Sequence, residues 1–171
     1  MLCWCLSSFP TPTSKLIRIQ QGRLQVIDRS NLLYFWVLRM STSALVAEKV
    51  WKDIESTHSV SDEQLSILHF LFGKNLERAM RIVDQRGVKR ILGEPSGRSI
   101  FQVVGESKRK EKYVCFAQHY CACYSFFYDI VNRGEQLYCK HQLAARLASS
   151  LGACIDVKMS DDHLALMLSQ L

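Results

Sequence analysis

The sequence predicts an α+β fold: N-terminal helices, a small three-stranded antiparallel sheet, a unit tied by a metal ion, and C-terminal helices. Three observations support this prediction. Apolar residues recur at helical spacing over residues 43–85, and the period changes to two from Val88 onward. Two pairs of soft metal ligands then follow, Cys121 with Cys123 and Cys139 with His141.

Residues 43–56 are predicted to form the first helix. Val46, Val50 and Ile54 recur at helical spacing and make one apolar face, while charged residues occupy the other face. The pattern is interrupted over residues 57–60, so we expect this helix to end there.

A capping box predicts the start of a second helix. Ser61 supplies the hydroxyl at the N-cap, and Gln64 supplies the side chain that reaches back to the cap backbone. The apolar residues that follow cover more than one helix face, so we expect this helix to be the buried centre of residues 41–87. Gly73 should interrupt the helix before it continues over residues 76–85.

The sheet is predicted from a period of two. Residues 88–94 and 99–104 alternate as two strands, and the segment between them, Pro-Ser-Gly, has the composition of a turn. Residues 112–117 form a third strand that leads to the first ligand pair.

The C-terminal part is predicted to be mainly helical. Residues 125–131 are apolar and aromatic enough for a short helix packed over the metal site. Residues 142–151 form a longer helix that ends at Gly152, and Ser160 caps a final helix over residues 162–171. Together with the sheet, these helices complete a compact domain.

Residues 1–40 differ from the rest of the chain. They carry five Lys or Arg and one acidic residue, a net charge of +4, and residues 1–14 show no clear periodicity. One interpretation is a transit peptide, and the other is an upstream extension of a chain whose natural start is Met40. We expect a disordered or weakly ordered extension in either case, although residues 32–37 are apolar enough to dock on the domain as a short helix or strand. Residues 41–87 and 88–171 should form one compact domain.

Composition narrows the class of protein. A chain of 171 residues with 48% hydrophobic residues is long enough for one domain with an ordinary core. Seven cysteines without a convincing signal peptide favour a reducing compartment. The longest apolar run, residues 32–38, is too short to cross a bilayer, so no membrane role is expected. The net charge of +6 permits contact with nucleic acid.

The two ligand pairs predict a metal site. In an extended segment, alternate side chains share a face, so Cys121 and Cys123 can reach one ion. Cys139 and His141 can do the same from a second extended turn. Three thiolates and one imidazole complete a tetrahedron, and zinc is the usual metal for such a set. The alternative is a group of reduced core cysteines with an unrelated histidine.

A basic patch precedes the third predicted strand. Lys108, Arg109, Lys110 and Lys112 lie close together in the sequence, next to Tyr113. Such a patch can contact phosphates of single-stranded nucleic acid. The alternative is a solvated loop.

The metal pattern and its flanks resemble the SWIM-type zinc finger over roughly residues 113–151. Besides CxC and CxH, the likeness includes Phe126 three residues after the second cysteine, and Leu143 and Ala144 after the histidine. Tyr124 departs from the proline often found at that position. More widely, residues 43–171 resemble the SWIM-domain subunits of Shu-type complexes in homologous recombination, notably in LSILHFLFG and EPSGRSIFQVVG.

The resemblance implies a non-enzymatic adaptor that acts in the nucleus in DNA repair. Its partner would be a recombinase-paralogue, ATPase-like subunit, and single-stranded DNA would be reached through the complex. This chain would carry one structural zinc ion, and it would have no catalytic residue and no small-molecule substrate. The alternative is an autonomous SWIM-type DNA-binding module of transposase or transcription-factor type. For such a module, we would expect more positive charge on residues 41–171.

Overall fold

The computed structural model describes residues 16–20, 23–27, 29–107 and 110–170, with side chains from residue 42 onward. It divides into two units, Met1–Arg39 and Met40–Leu171. The strands are β1 Leu16–Gln20, β2 Arg23–Ile27, β3 Val88–Glu94, β4 Ser99–Val104, β5 Lys112–Phe116, β6 Tyr120–Cys121 and β7 Ile155–Ser160. The helices are α1 Arg29–Thr57, α2 Asp62–Phe72, α3 Lys74–Asp84, a π-helix Phe126–Asn132, α4 Lys140–Ser150 and α5 Asp161–Leu168.

Regular structure begins earlier than the sequence suggested. β1 and β2 form an antiparallel hairpin, and α1 starts at Arg29 rather than near Ser43. No glycine or proline occurs between Gly22 and Gly73, so nothing in the covalent backbone stops a helix from extending upstream. Part of the segment expected to be disordered or weakly ordered is therefore assigned strand and helix, while residues 1–15 lie outside the described residues.

The capping box of α2 is confirmed. The Ser61 hydroxyl accepts a hydrogen bond from Gln64 N at 3.2 Å, and the Gln64 side chain accepts one from Ser61 N at 2.9 Å. Gly73, at φ +52°, separates α2 from α3 as expected. The expectation that α2 is the buried centre is wrong, because Leu68 is its one fully buried residue and Phe70 is 88% exposed.

The sheet has five strands in the order β6-β5-β4-β3-β7, so the prediction of three antiparallel strands is wrong in number and in direction. β3, β4 and β5 pair antiparallel as predicted, with Val88 opposite Val103 and Phe101 opposite Cys115. β7 pairs parallel to β3, with Ile91 beside Val157. The pairing of β7 depends on the crossover through α4, which the local sequence does not reveal.

Helix α4 is the buried centre of the domain. It packs against α3 and the sheet, and its described side chains are buried almost all round. Its small residues Ala144, Ala145 and Ala148 are 0% exposed, which lets neighbouring elements approach closely. None of the helices in the described ranges combines the length and the apolar content that a membrane crossing requires.

A buried arginine joins α4 to α1. Arg146 is 3% exposed, and its guanidinium lies 5.2 Å from the centre of the Trp51 ring. Arg146 Nη2 donates a hydrogen bond to Glu48 Oε1 at 2.7 Å. A buried charge is tolerated only when it is paired. Here the carboxylate of Glu48 and the ring of Trp51 together stabilise the charge of the Arg146 guanidinium.

We expect Glu48→Gln to destabilise the domain by about 1–3 kcal/mol at pH 7, because it leaves a buried guanidinium without its counter-charge. The hydrogen bond from Arg146 is the main reason why the pKa of Glu48 is lowered from 4.5. The stabilisation should therefore be complete above pH 4.5 and disappear as the pH falls through the lower folded value.

Urea denaturation of the wild type and Glu48→Gln between pH 3 and pH 7 measures this difference. Asp53→Asn is the matched control, because Asp53 pairs with Lys49 at 2.7 Å on the exposed face of the same helix. That exposed pair should contribute less than about 1 kcal/mol. Equal losses of unfolding free energy in Glu48→Gln and Asp53→Asn would contradict the role of Glu48.

Candidate metal centre

Four side chains converge as the sequence predicted. One ligand atom each from Cys121, Cys123, Cys139 and His141 lies within 4.8 Å of the other three, and all four residues are buried. Cys121 Sγ is 3.8 Å from His141 Nδ1. A tetrahedral zinc ion at its usual ligand distances separates bound sulfur and nitrogen by roughly 3.6 Å. The cluster therefore has the size that a single ion requires.

The first ligand pair is positioned by the edge of the sheet. Cys121 ends β6 and lies opposite Cys115 of β5. The extended pairing continues one residue further, because Ala122 N donates to Val114 O at 3.0 Å. Alternation along this extended backbone brings the Cys123 thiol to the same point, where it accepts a hydrogen bond from Phe126 N at 3.4 Å.

The second ligand pair is positioned by the start of α4, not by an extended turn as we expected. Cys139 is the N-cap, with φ −80° and ψ 164°, and His141 already belongs to the first helical turn. Cys139 Sγ accepts from Gln142 N at 3.4 Å, and Gln142 Oε1 accepts from Cys139 N at 3.2 Å. The spacing Cys139-x-x-Gln142 is a capping box with a thiol in place of a hydroxyl, a signal that the sequence did contain.

The three thiols interact strongly. Hydrogen bonds from the Cys121 and Cys139 thiols lower the pKa of Cys123 far below its ordinary value. Hydrogen bonding with Cys115 and Cys123 raises the pKa of Cys121, and hydrogen bonding with Cys121 and Cys123 raises that of Cys139. Thiolates held this close together repel one another. A divalent cation removes this repulsion, so the donor set fits a soft divalent metal, with zinc as the first choice.

Tyr113 supports the histidine from outside the ligand set. Its ring stacks on that of His141, with centroids 4.4 Å apart and an angle of 27° between the planes. The Tyr113 hydroxyl donates to Glu111 Oε2 at 2.6 Å, and this bond is the main reason why its pKa is raised to about 12. The sequence placed Tyr113 beside the basic patch and gave no signal of this contact with His141.

The basic patch is only partly described. Lys108 and Arg109 lie outside the described residues. Lys110 and Lys112 are both exposed, and the backbone N of Lys110 donates to Ser107 O at 2.9 Å. Contact between this patch and nucleic acid therefore stays a prediction.

The chain between the two ligand pairs carries an exposed apolar surface, here called the aromatic face. Phe126 and Ile130 anchor the π-helix in the core. Tyr124 and Tyr128 stack outside, with ring centroids 5.5 Å apart and planes at 14°. The members of the aromatic face are Tyr124, Phe127, Tyr128 and Val131, which are 76%, 49%, 41% and 54% exposed.

Fold and cluster together define a small α+β protein of the zinc-finger class, built around three cysteines and one histidine. "Zinc finger SWIM domain-containing protein 7" of Danio rerio is 38% identical, over 76% of this chain and 94% of its own. The Homo sapiens protein of that name is 33% identical, over 65% of this chain and 78% of its own. The Mus musculus protein of that name is 34% identical, over 68% of this chain and 76% of its own. The chain belongs to this family, which confirms the SWIM-type resemblance. No family model and no solved structure matches it.

We expect Cys139→Ala or His141→Ala to abolish metal binding and to unfold the C-terminal half of the domain. Metal binding contributes on the order of 10–16 kcal/mol in zinc-finger peptides, as much as the whole stability of many domains. Elemental analysis and limited proteolysis measure both effects.

Cys154→Ala is the matched control, because Cys154 is a half-buried free cysteine outside the cluster. It should keep the metal content and the proteolytic pattern of the wild type. Unchanged metal content and unchanged proteolytic resistance in Cys139→Ala or His141→Ala would refute the assignment of the ligands.

Proposed function

We propose that this chain is a non-enzymatic, zinc-binding adaptor subunit of a Shu-type complex in the nucleus. In this role it promotes homologous-recombination DNA repair by helping a recombinase assemble on single-stranded DNA. The observation that carries the proposal is the ligand set, since Cys121, Cys123, Cys139 and His141 would take all four positions around one zinc ion. A zinc ion without an open position has a structural rather than a catalytic role.

The same ligand set argues against nucleophilic catalysis by this chain. Cys139 and His141 are the obvious thiol and imidazole pair, yet both point at the shared ligand cluster and both are buried. The sequence also has no GxxxxGK[ST] loop for nucleotide phosphates. We therefore assign ATP-dependent chemistry to a partner, a recombinase-paralogue ATPase-like subunit, and contact with single-stranded DNA to the complex as a whole.

The aromatic face is the surface that we assign to this partner. It presents two stacked tyrosines, Phe127 and Val131 within eight residues, next to the second ligand of the first pair. Exposed apolar patches of this kind mark interaction sites, and tyrosine is enriched among residues that dominate binding energy. A protein partner with an apolar surface fits it better than an ion or a small polar molecule.

We expect the tagged chain, expressed in cells, to co-purify with a recombinase-paralogue ATPase subunit. The double variant Tyr124→Ser/Phe127→Ser should recover at least about tenfold less of this partner, because it removes two large apolar contacts. Its metal content should remain that of the wild type, since neither residue is a ligand.

Phe70→Ser is the control, because Phe70 is an aromatic residue on α2, outside the aromatic face, that is even more exposed than Tyr124 and Phe127. It should leave the yield of the partner unchanged. Recovery of no ATPase-like partner by the wild type would overturn the adaptor proposal, and undiminished recovery by the double variant would overturn the role of the aromatic face.

Direct DNA binding by the chain alone is the second candidate, favoured by the exposed Lys110 and Lys112. Under the adaptor proposal, the isolated chain binds a single-stranded oligonucleotide weakly, and Lys110→Glu/Lys112→Glu does not change its affinity. Fluorescence anisotropy at several salt concentrations tests this. Tight, salt-sensitive binding that the double variant weakens would favour an autonomous DNA-binding module instead.

A further inference from the structure

Strand β7 leaves one edge of the five-stranded sheet open. It pairs with β3 along its whole length, from Ile155 to Ser160, and no strand in the described residues pairs with its other side. Its backbone makes no turn or loop hydrogen bond within the described part of the chain. Such an edge carries a row of free N–H and C=O groups that can pair with another strand.

Charges on an edge strand normally oppose pairing with another chain. On β7 they are Asp156 and Lys158, two residues apart and therefore on one face of the sheet. Both are held by β3: Asp156 Oδ2 lies 2.7 Å from Arg90 Nη2, and Lys158 Nζ lies 2.7 Å from Glu94 Oε1. Their order, negative then positive around Val157, makes the strand complementary to itself.

We propose that two copies of this chain associate through β7, in an antiparallel pair centred on Val157 that joins their two sheets into one. In this register Asp156 of each copy lies opposite Lys158 of the other. Opposite charges directly across an antiparallel pair stabilise it, and like charges destabilise it. The ion pairs to β3 extend the row, so charge alternates from Arg90 to Asp156 and on to Lys158 of the second copy.

Other registers are disfavoured by the same charges. An antiparallel pair centred on Asp156 places two carboxylates opposite each other, and one centred on Lys158 places two ammonium groups opposite each other. A parallel pair in register repeats both repulsions. The pattern therefore selects a two-fold symmetric arrangement, the usual symmetry of dimers.

The opposite face of β7 is apolar and partly uncovered. Ile155 is 40% exposed, while Met159 packs on a cluster that includes Ile91 and Leu164. The proposed register puts Ile155 beside Met159 of the second copy, so association covers apolar surface as well as joining backbones. One strand gives a contact below the standard interface size, so we expect a dissociation constant in the micromolar range.

Sedimentation equilibrium of the zinc-loaded full chain from about 1 to 200 µM covers that range of affinity. The wild type should pass from monomer to dimer. Asp156→Lys and Lys158→Asp should each weaken self-association at least about tenfold, because each sets like charges opposite each other. An equimolar mixture of these two variants should form a heterodimer, and the double variant Asp156→Lys/Lys158→Asp should self-associate again.

Lys49→Asp and Asp53→Lys are matched controls, because they make the same charge changes in the exposed ion pair on α1. Both should keep the wild-type dissociation constant, and thermal unfolding checks that every variant is folded. A wild type that stays monomeric throughout overturns the proposal, whether or not the variants fold. Single variants that dimerise like the wild type, or a mixture that fails to associate, also overturn it.

Discussion

The structure depends on the convergence of three thiols and one imidazole at a single point. This point joins the end of β6 to the first turn of α4, which are eighteen residues apart in the sequence, from Cys121 to Cys139. Without a cation the same convergence is unfavourable for ionisation, because hydrogen bonding and charge among neighbouring thiols raise the pKa of Cys121 and of Cys139. Since α4 is also the buried centre, anything that separates the ligands disturbs the core. A bound metal therefore acts on the whole fold.

Features governed by neighbouring residues were predictable from the sequence. The capping box at Ser61, the hairpin of β3 and β4, and the interruption at Gly73 all follow from patterns a few residues long. The four candidate ligands were predictable for the same reason, since the two members of each pair are two residues apart in the sequence. Local chemistry limits what such segments can form, whatever surrounds them.

Features governed by distant partners were not predictable. β7 alternates clearly, but its parallel pairing requires knowledge of β3, and its segment had no assigned role. The sequence did not reveal that Arg146 is buried, because the partners that make this possible, Trp51 and Glu48, lie on another helix. Nor did it reveal that Phe70 faces solvent, since its helix carries apolar residues on more than one face.

Four protein ligands around one metal ion would leave no coordination position for a substrate, so the proposed function depends on the surface of the protein. The π-helix lies between the ligand pairs, and its first residue, Phe126, donates its N–H to the thiol of Cys123. The same helix turns Phe126 and Ile130 into the core and leaves Phe127 and Val131 in solvent. The aromatic face therefore has its shape only while the ligand pairs hold both ends of this segment. A partner that recognised only the ordered aromatic face would also stabilise the metal-bound state, so we propose that metal binding and partner binding are linked.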